Sequence, residues 1–320
     1  MVEYRYKNYA QSMMQTFGNR LQKLTINAGF SCPNRDGTVG VGGCTFCSND
    51  AFNPSYCMPE KSIKQQIQEG KIFHQNRYKR VPKFLAYFQA FSNTYAPLET
   101  LKSLYEEALS EPDVVGLAIG TRCDCLDDEK LNYIAELAKK YYVVLEIGVQ
   151  SCYNDTLKLI NRGHTFEDAE FWIKKASELG INVGIHIVFG LPDDTREKML
   201  AQVHKINALP IYSIKFHQLQ IMKNTTMEQQ FLNNDPNFKP LFFELDEYLD
   251  FAVDFVEQLR PEVIIERIAG EAPPRYQAKP AWKAGRNDQI MVMFQKRLEE
   301  RDTFQGRMYA QKKTIKRGAK

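Results

Sequence analysis

Three cysteines stand close together in the stretch Gly29–Cys47, which reads GFSCPNRDGTVGVGGCTFC and spaces Cys32, Cys44 and Cys47 as C-x11-C-x2-C. Thiolates held near one another repel unless a cation lies between them, so a loop of this kind is a metal clamp. An iron–sulfur cluster of the [4Fe–4S] type normally takes four cysteine ligands. Three leave one iron open, and an open iron is a place for chemistry. The glycines of the loop let the backbone curl round a bulky group and offer N–H donors to its sulfides. The same cysteines also admit a structural zinc with Cys57 as fourth ligand. Cys123 and Cys125, in IGTRCDCL, are a weaker C-x-C signal and are read as free thiols, with hydrogen-atom donation open to either. No role is read for Cys152.

These side chains need a scaffold, and the chain supplies a rhythm of strand and helix. Strands are expected at 20–27, 84–91, 114–120, 143–149, 182–189, 213–221 and 263–268. Amphipathic helices fit 101–109, 129–139 (Asp127 as N-cap), 166–179, 195–209, 242–259 and 289–300. No G-x-G-x-x-G follows the first strand, so a dinucleotide-binding sheet is disfavoured and an α/β barrel, possibly incomplete, is favoured. Barrel chemistry gathers at the C-terminal strand ends. There stand Gln89 with Ser92 and Asn93, then Thr121, Arg122 and Asp124, then Lys215, His217 and Lys223. His186, on an apolar strand, reads as a satisfied core residue. In VLEIGVQS the alternation puts Glu146, Gly148 and Gln150 on one, inward face. A buried Glu and Gln without partners would cost several kcal/mol, and a bound polar ligand accounts for both. Residues 1–270 read as the core with its lead-in. Residues 271–320 read as an extension in which Arg275, Lys279, Lys283 and Arg286 interleave with Tyr and Trp before a basic tail. Such loops suit RNA, where bases stack and phosphates pair.

Composition bounds the rest. With 320 residues, 43% of them hydrophobic and 25% charged, the chain can bury a substantial core. Net charge is +3, which permits nucleic-acid binding without demanding it. No apolar run approaches the roughly 18 residues of a membrane helix, and the N-terminus lacks a signal peptide's apolar centre. A cytoplasmic location is expected, where seven cysteines serve as ligands or free thiols rather than disulfides.

GFSCPNRDGT followed by GGCTFC resembles the radical S-adenosylmethionine (SAM) superfamily, and more narrowly its bacterial subgroup related to the catalytic subunit of Elongator. VLEIGVQS–LINRGHT and the GLP turn share the resemblance, which spans roughly residues 18–285. The long first gap departs from the superfamily's common C-x3-C-x2-C and matches the narrower subgroup. The usual Gly-Gly-Glu of the second strand is absent, and Asp193 stands where a glycine often follows the proline. The resemblance implies a partial (βα)6 TIM-like barrel with a C-terminal extension. It also implies a [4Fe–4S] cluster on Cys32, Cys44 and Cys47, and SAM chelated to the open iron and cleaved to a 5′-deoxyadenosyl radical. Phe46, Gln89, Glu146, Gln150 and Arg162 would seat SAM, with Glu146 and Gln150 near its ribose and Arg162 on its carboxylate. Lys215, Lys223, Arg275 and Arg286 would meet the substrate. Relatives are implicated in tRNA wobble-uridine modification, where 5-carboxymethylaminomethyluridine must become 5-aminomethyluridine. An electron donor such as flavodoxin or ferredoxin is implied. Two other readings are a zinc-stabilised RNA-binding protein without catalysis and a radical SAM enzyme on a non-RNA substrate.

Overall fold

A computed structural model describes residues 3–75, 83–279, 282 and 286–309. The elements in chain order are α1 (Tyr9–Phe17), β1 (Leu21–Ile26), α2 (Ile63–Gln75), β2 (Lys83–Phe88), α3 (Leu98–Leu109), β3 (Val114–Thr121), α4 (Asp128–Ala138) and β4 (Tyr142–Gln150). There follow α5 (Asn154–Leu159), α6 (Phe166–Glu178), β5 (Asn182–Phe189), α7 (Arg196–Ala208), β6 (Ser213–Gln218), α8 (Thr226–Leu232), α9 (Leu245–Gln258), β7 (Ile264–Arg267) and α10 (Asn287–Glu300). All neighbouring strands pair in parallel and in sequence order, β1 to β7. The sheet is the expected partial barrel.

Alternation along the strands separates two environments. Outward residues such as Leu24, Phe88, Ile119, Leu145, Ile185 and Phe216 are fully or almost fully buried against the helices in one continuous core. Inward residues include an unusual number of polar ones, taken up below. The helices begin where their caps dictate. Asp127 accepts from the Lys130 N–H, and Thr165 with Asp168 forms a reciprocal capping box at α6.

The ends of the chain differ from the sequence expectation. Residues 1–20 read as a plain lead-in, yet they contain α1, capped by Asn8 and stopped by Gly18 at φ 67°. Met13 and Leu21 pack with Leu85 and Ala118, so α1 plugs the N-terminal end of the barrel. Asn8 also bridges to Ile265, covering the free edge of β7. Strand β2 stops before Gln89 because the chain turns at Phe91, which sits at φ 63°. β6 stops at Gln218, after which the Leu219 N–H bonds back to the Phe189 carbonyl. In the C-terminal segment, α10 docks on α9 through Arg297 with Asp246 (2.8 Å) and Asp250 (2.6 Å). The basic tail from residue 312 and Lys283 lie outside the described residues.

Candidate cluster and cofactor site

The cysteine loop leaves β1 and closes on itself by backbone bonds. The Arg35 N–H bonds the Cys32 carbonyl, and the Gly43 N–H bonds the Asn34 carbonyl (2.7 Å). It then docks on the segment after α5, where the Thr45 N–H bonds the Ile160 carbonyl and Asn161 Nδ2 donates to the Gly43 carbonyl (2.8 Å). Cys44 is buried, while Cys32 and Cys47 are half-buried. Donors converge on the sulfurs: Arg162 Nη1 lies 3.4 Å and Arg122 Nη1 3.9 Å from Cys44 Sγ, and Asn49 Nδ2 lies 3.7 Å from Cys47 Sγ. Arg35 donates to the Cys47 carbonyl. Burial and the neighbouring Cys44 push the Cys47 thiol up, and Arg35 works against them. Guanidiniums at this spot offset the charge that three thiolates would carry.

These residues fit the cluster better than a zinc ion. Zinc, with Zn–S near 2.3 Å, draws its ligand atoms to within about 4 Å of one another. Among the described residues, the one trio of candidate ligand atoms within 4.8 Å is Cys123, Asp124 and His164, not the three loop cysteines. Cys57 belongs to neither group: its buried thiol, pushed up to about 12, is set by burial, Asn27 and Lys61. Cys123 and Cys125 are buried thiols likewise pushed up to about 12. Asp124 is already gripped by Arg122 at 2.8 and 2.6 Å.

Around the loop lie buried polar atoms that no described residue satisfies, among them Gln89 Oε1, Asn93 Oδ1 and Arg162 Nε. Orphans of this kind mark a place for a polar ligand. Gln150, the last residue of β4, adopts φ 69°, a left-handed conformation that costs a non-glycine residue energy and clusters at functional sites. Gly148 leaves room for the Gln150 and Arg162 side chains, because a Cβ would stand 2.6 Å from Gln150 Nε2 and 2.9 Å from Arg162 Nη2 and would push both aside. Arg162 donates to the Gly148 carbonyl, so loop, β4 and guanidinium are joined. Phe46 is half-buried and packs against the main core.

Deeper in the barrel, Glu146 finds protein partners. Lys23 of β1 reaches it at 2.7 Å, His186 at 3.0 Å and Lys215 also pairs with it. Lys23 bridges on to Glu266, whose other oxygen accepts from Ser213 Oγ. Burial pushes the Glu146 carboxyl up, but Lys215 and Lys23 together overcome it and hold the group well below the usual carboxylate range. Its burial therefore calls for no ligand. His186 is no isolated core residue either, since its ring stacks on His217 with centroids 5.3 Å apart. Sequence reasoning missed Lys23, Glu266 and Asn34. The signal for the first was an ammonium at the third position of an otherwise inward-facing Leu21–Thr25 alternation.

Of the remaining expected residues, Lys215 belongs to this ion network and the others lie at the surface or on the rim. Lys215 is 5% exposed and committed to the ion network. Lys223 is exposed at the barrel rim, and its N–H bonds the Tyr276 carbonyl. Arg275 is exposed over the Tyr276 ring, 4.8 Å from its centroid. Arg286 is exposed at the start of α10, and Lys279 is tucked on the Phe242 ring. The rim touches the cysteine loop, because Ala51 packs with Met222, Ala272 and Tyr276, and the Met227 N–H bonds the Thr45 carbonyl.

Known proteins agree with this architecture. The model of the "Radical SAM superfamily" matches residues 32–203, and that of the "Radical_SAM C-terminal domain" matches residues 211–300. An uncharacterised protein of Bacillus subtilis, YtqA, is 35% identical over 96% of this chain and 94% of its own length. A tRNA uridine(34) acetyltransferase of Methanocaldococcus infernus is 26% identical over 50% of this chain and 29% of its own. The solved structure of Methanocaldococcus infernus Elp3 superposes with a TM-score of 0.66 over 89% of this chain and 64% of that one, at 16% identity, which speaks to the fold. Members of the family work with a [4Fe–4S] cluster and SAM, the groups for which Cys32, Cys44, Cys47 and the orphaned polar atoms beside them are suited. This chain belongs to the radical SAM superfamily and is similar, over about half of its length, to Elongator-type proteins.

Proposed function

We propose that this radical SAM enzyme acts on tRNA, converting wobble 5-carboxymethylaminomethyluridine to 5-aminomethyluridine with electrons from a flavodoxin- or ferredoxin-type donor. The observation that carries the reading is the rim: exposed Lys223 and Arg275 and half-buried Tyr276 are joined through Met222 and Ala272 to the segment that follows the three cysteines. A base stacked on Tyr276, its phosphates against Lys223 and Arg275, would hang over the barrel mouth beside the cofactor. An anticodon loop is single-stranded, so presenting one base costs little unstacking. The core of residues 1–270 would perform the reaction and the extension of 271–320 would hold the RNA.

When bound, cluster and SAM supply a carbon-centred radical able to take a hydrogen atom from an otherwise inert C–H bond. The protein's part is positioning. Arg162 and Arg122 offset thiolate charge, Gln89, Gln150 and Arg162 would present polar atoms to SAM, and Phe46, between the cysteines Cys44 and Cys47, would present its ring or backbone.

The deciding measurement is the nucleoside profile of bulk tRNA from a deletion strain. It should accumulate the carboxymethylaminomethyl form and lose the aminomethyl and methylaminomethyl forms. An unchanged wobble-uridine profile removes the tRNA assignment.

A further inference from the structure

The lumen of the barrel carries three cations, Lys23, Lys215 and Arg267, and two carboxylates, Glu146 and Glu266. Both lysines are paired. Arg267 is not: no described residue gives it a hydrogen bond or an ion pair, although it is the register partner of Lys215 and its charge acts on Lys215, His217 and Tyr87. It is half-exposed and, across the register shift between β6 and β7, lies beside Lys215, close enough for its charge to act on the lumen groups. A positive charge set beside other cations, with no carboxylate paired to it, suits an anion.

The neighbouring histidines add a second requirement. Glu146 can only accept, so His186 Nε2 carries a proton and donates to it across 3.0 Å. His186 Nδ1 is then an acceptor, and His217 Nε2 donates to it across 3.3 Å. Burial and the surrounding cations hold both rings neutral. The chain of donors therefore ends on a bare lone pair at His217 Nδ1, to which no described residue donates. Gly270 keeps the approach clear, since a Cβ there would stand 3.0 Å from that nitrogen.

We propose that Arg267 and His217 form a subsite for an amino-acid-like group of the substrate, the guanidinium holding its carboxylate and the imidazole Nδ1 accepting from its adjacent amine N–H. The inference rests on the proposed substrate, whose carboxymethylamino arm has these two functions side by side. SAM, which also has both, is assigned to the other side of the lumen, because Cys44, one of the cysteines that would hold its cluster, stands against Arg162 and Arg122 after β4 and β3 while Arg267 ends β7.

The test uses cluster-loaded protein as wild type, Arg267→Met and Arg267→Lys. With tRNA bearing the carboxymethylaminomethyl group, Arg267→Met should lower deoxyadenosine release 10- to 100-fold, the loss of a charge-assisted contact, with Arg267→Lys intermediate. The preference of the wild type for this tRNA over its aminomethyl counterpart should vanish in Arg267→Met. SAM affinity should stay within twofold; its loss would assign Arg267 to SAM and overturn the proposal. Because Arg267 is unpaired, Arg267→Met should melt no lower than wild type, and a marked fall would show a structural role instead. A fourth arm needs no tRNA: millimolar N-methylglycine should raise the melting temperature of wild type saturably and of Arg267→Met not at all, while trimethylglycine, lacking an N–H, should not discriminate. Equal responses of the two proteins to N-methylglycine would overturn the subsite. A discriminating response together with an unchanged tRNA profile in the deletion strain would keep the subsite and discard the tRNA.

Discussion

Replacing Glu146 with Gln preserves shape and removes one charge from the middle of the barrel. The Glu146 side chain is 1% exposed, and the side chains of Lys23 and Lys215 whose ammoniums meet it are 16% and 7% exposed. In the variant those two cations share Glu266 alone, with Arg267 adding a third positive charge nearby. Removing one partner from a buried ion pair typically costs about 3–5 kcal/mol, because the surviving charge is left without compensation. For a chain of this length, an unfolding entropy of about 2.1 cal/mol/K per residue turns that into a fall in melting temperature of about 5–7 °C. Scanning calorimetry under anaerobic conditions reads it directly, on protein with and without its cluster. The double variant Glu146→Gln, Lys215→Met also removes the stranded cation, so it should recover at least half of the loss. A single variant within 1 °C of wild type, or a double variant no better than the single, would refute the idea that charge balance holds the lumen together.

Alanine at Cys32, Cys44 or Cys47 should each abolish iron and sulfide incorporation, whereas Cys57→Ala should retain both; equal loss from Cys57→Ala, measured by metal analysis, would point to a four-cysteine site. Asp194 gives a pH dependence. Burial raises its carboxyl to about 7, while its Oδ2 accepts from the Leu191 N–H. The folded pKa lies above the unfolded one, so this stabilisation is full below about pH 4 and is lost as the pH rises through 7. Asp194→Asn should therefore gain on the order of 2–4 kcal/mol relative to wild type between pH 4 and 8, seen as a narrowing or reversal of the difference in urea midpoints. Parallel curves across that range would show that the carboxyl titrates normally.

The strands were legible because their outward faces are β-branched or aromatic and their lengths are bounded by turns. Helix α1 was equally written, in Tyr9, Met13 and Phe17 at four-residue intervals between Asn8 and Gly18, but its polar composition disguised it. The cysteine spacing marked the clamp without structural help. Glu146 was identified as inward by alternation, yet its partners lie 123 and 69 residues away, and no local pattern announces such pairing. The same holds for the histidine stack, whose two members come from different strands. The left-handed turn at Gln150 was invisible for another reason: it falls on a residue type that rarely adopts it.

The bond between the Lys7 carbonyl and the Ile265 N–H has a consequence for biosynthesis. Residues 5 and 7 are also gripped from Gln295 and Gln305, the former through the Arg5 N–H at 3.1 Å and the latter through the Lys7 N–H at 2.9 Å. Residues 5 to 7 thus find their seat only after residues 265 to 305 have been made. At about 5–20 residues per second, they wait on the order of 10–50 s with their partners still unsynthesised. During that interval the base of the barrel stands unplugged and the lumen charges have no complete set of partners. A nascent chain halted before β7 should be open to protease near residues 5–18 and should bind hydrophobic-surface chaperones, and both should cease once residue 305 has cleared the exit tunnel.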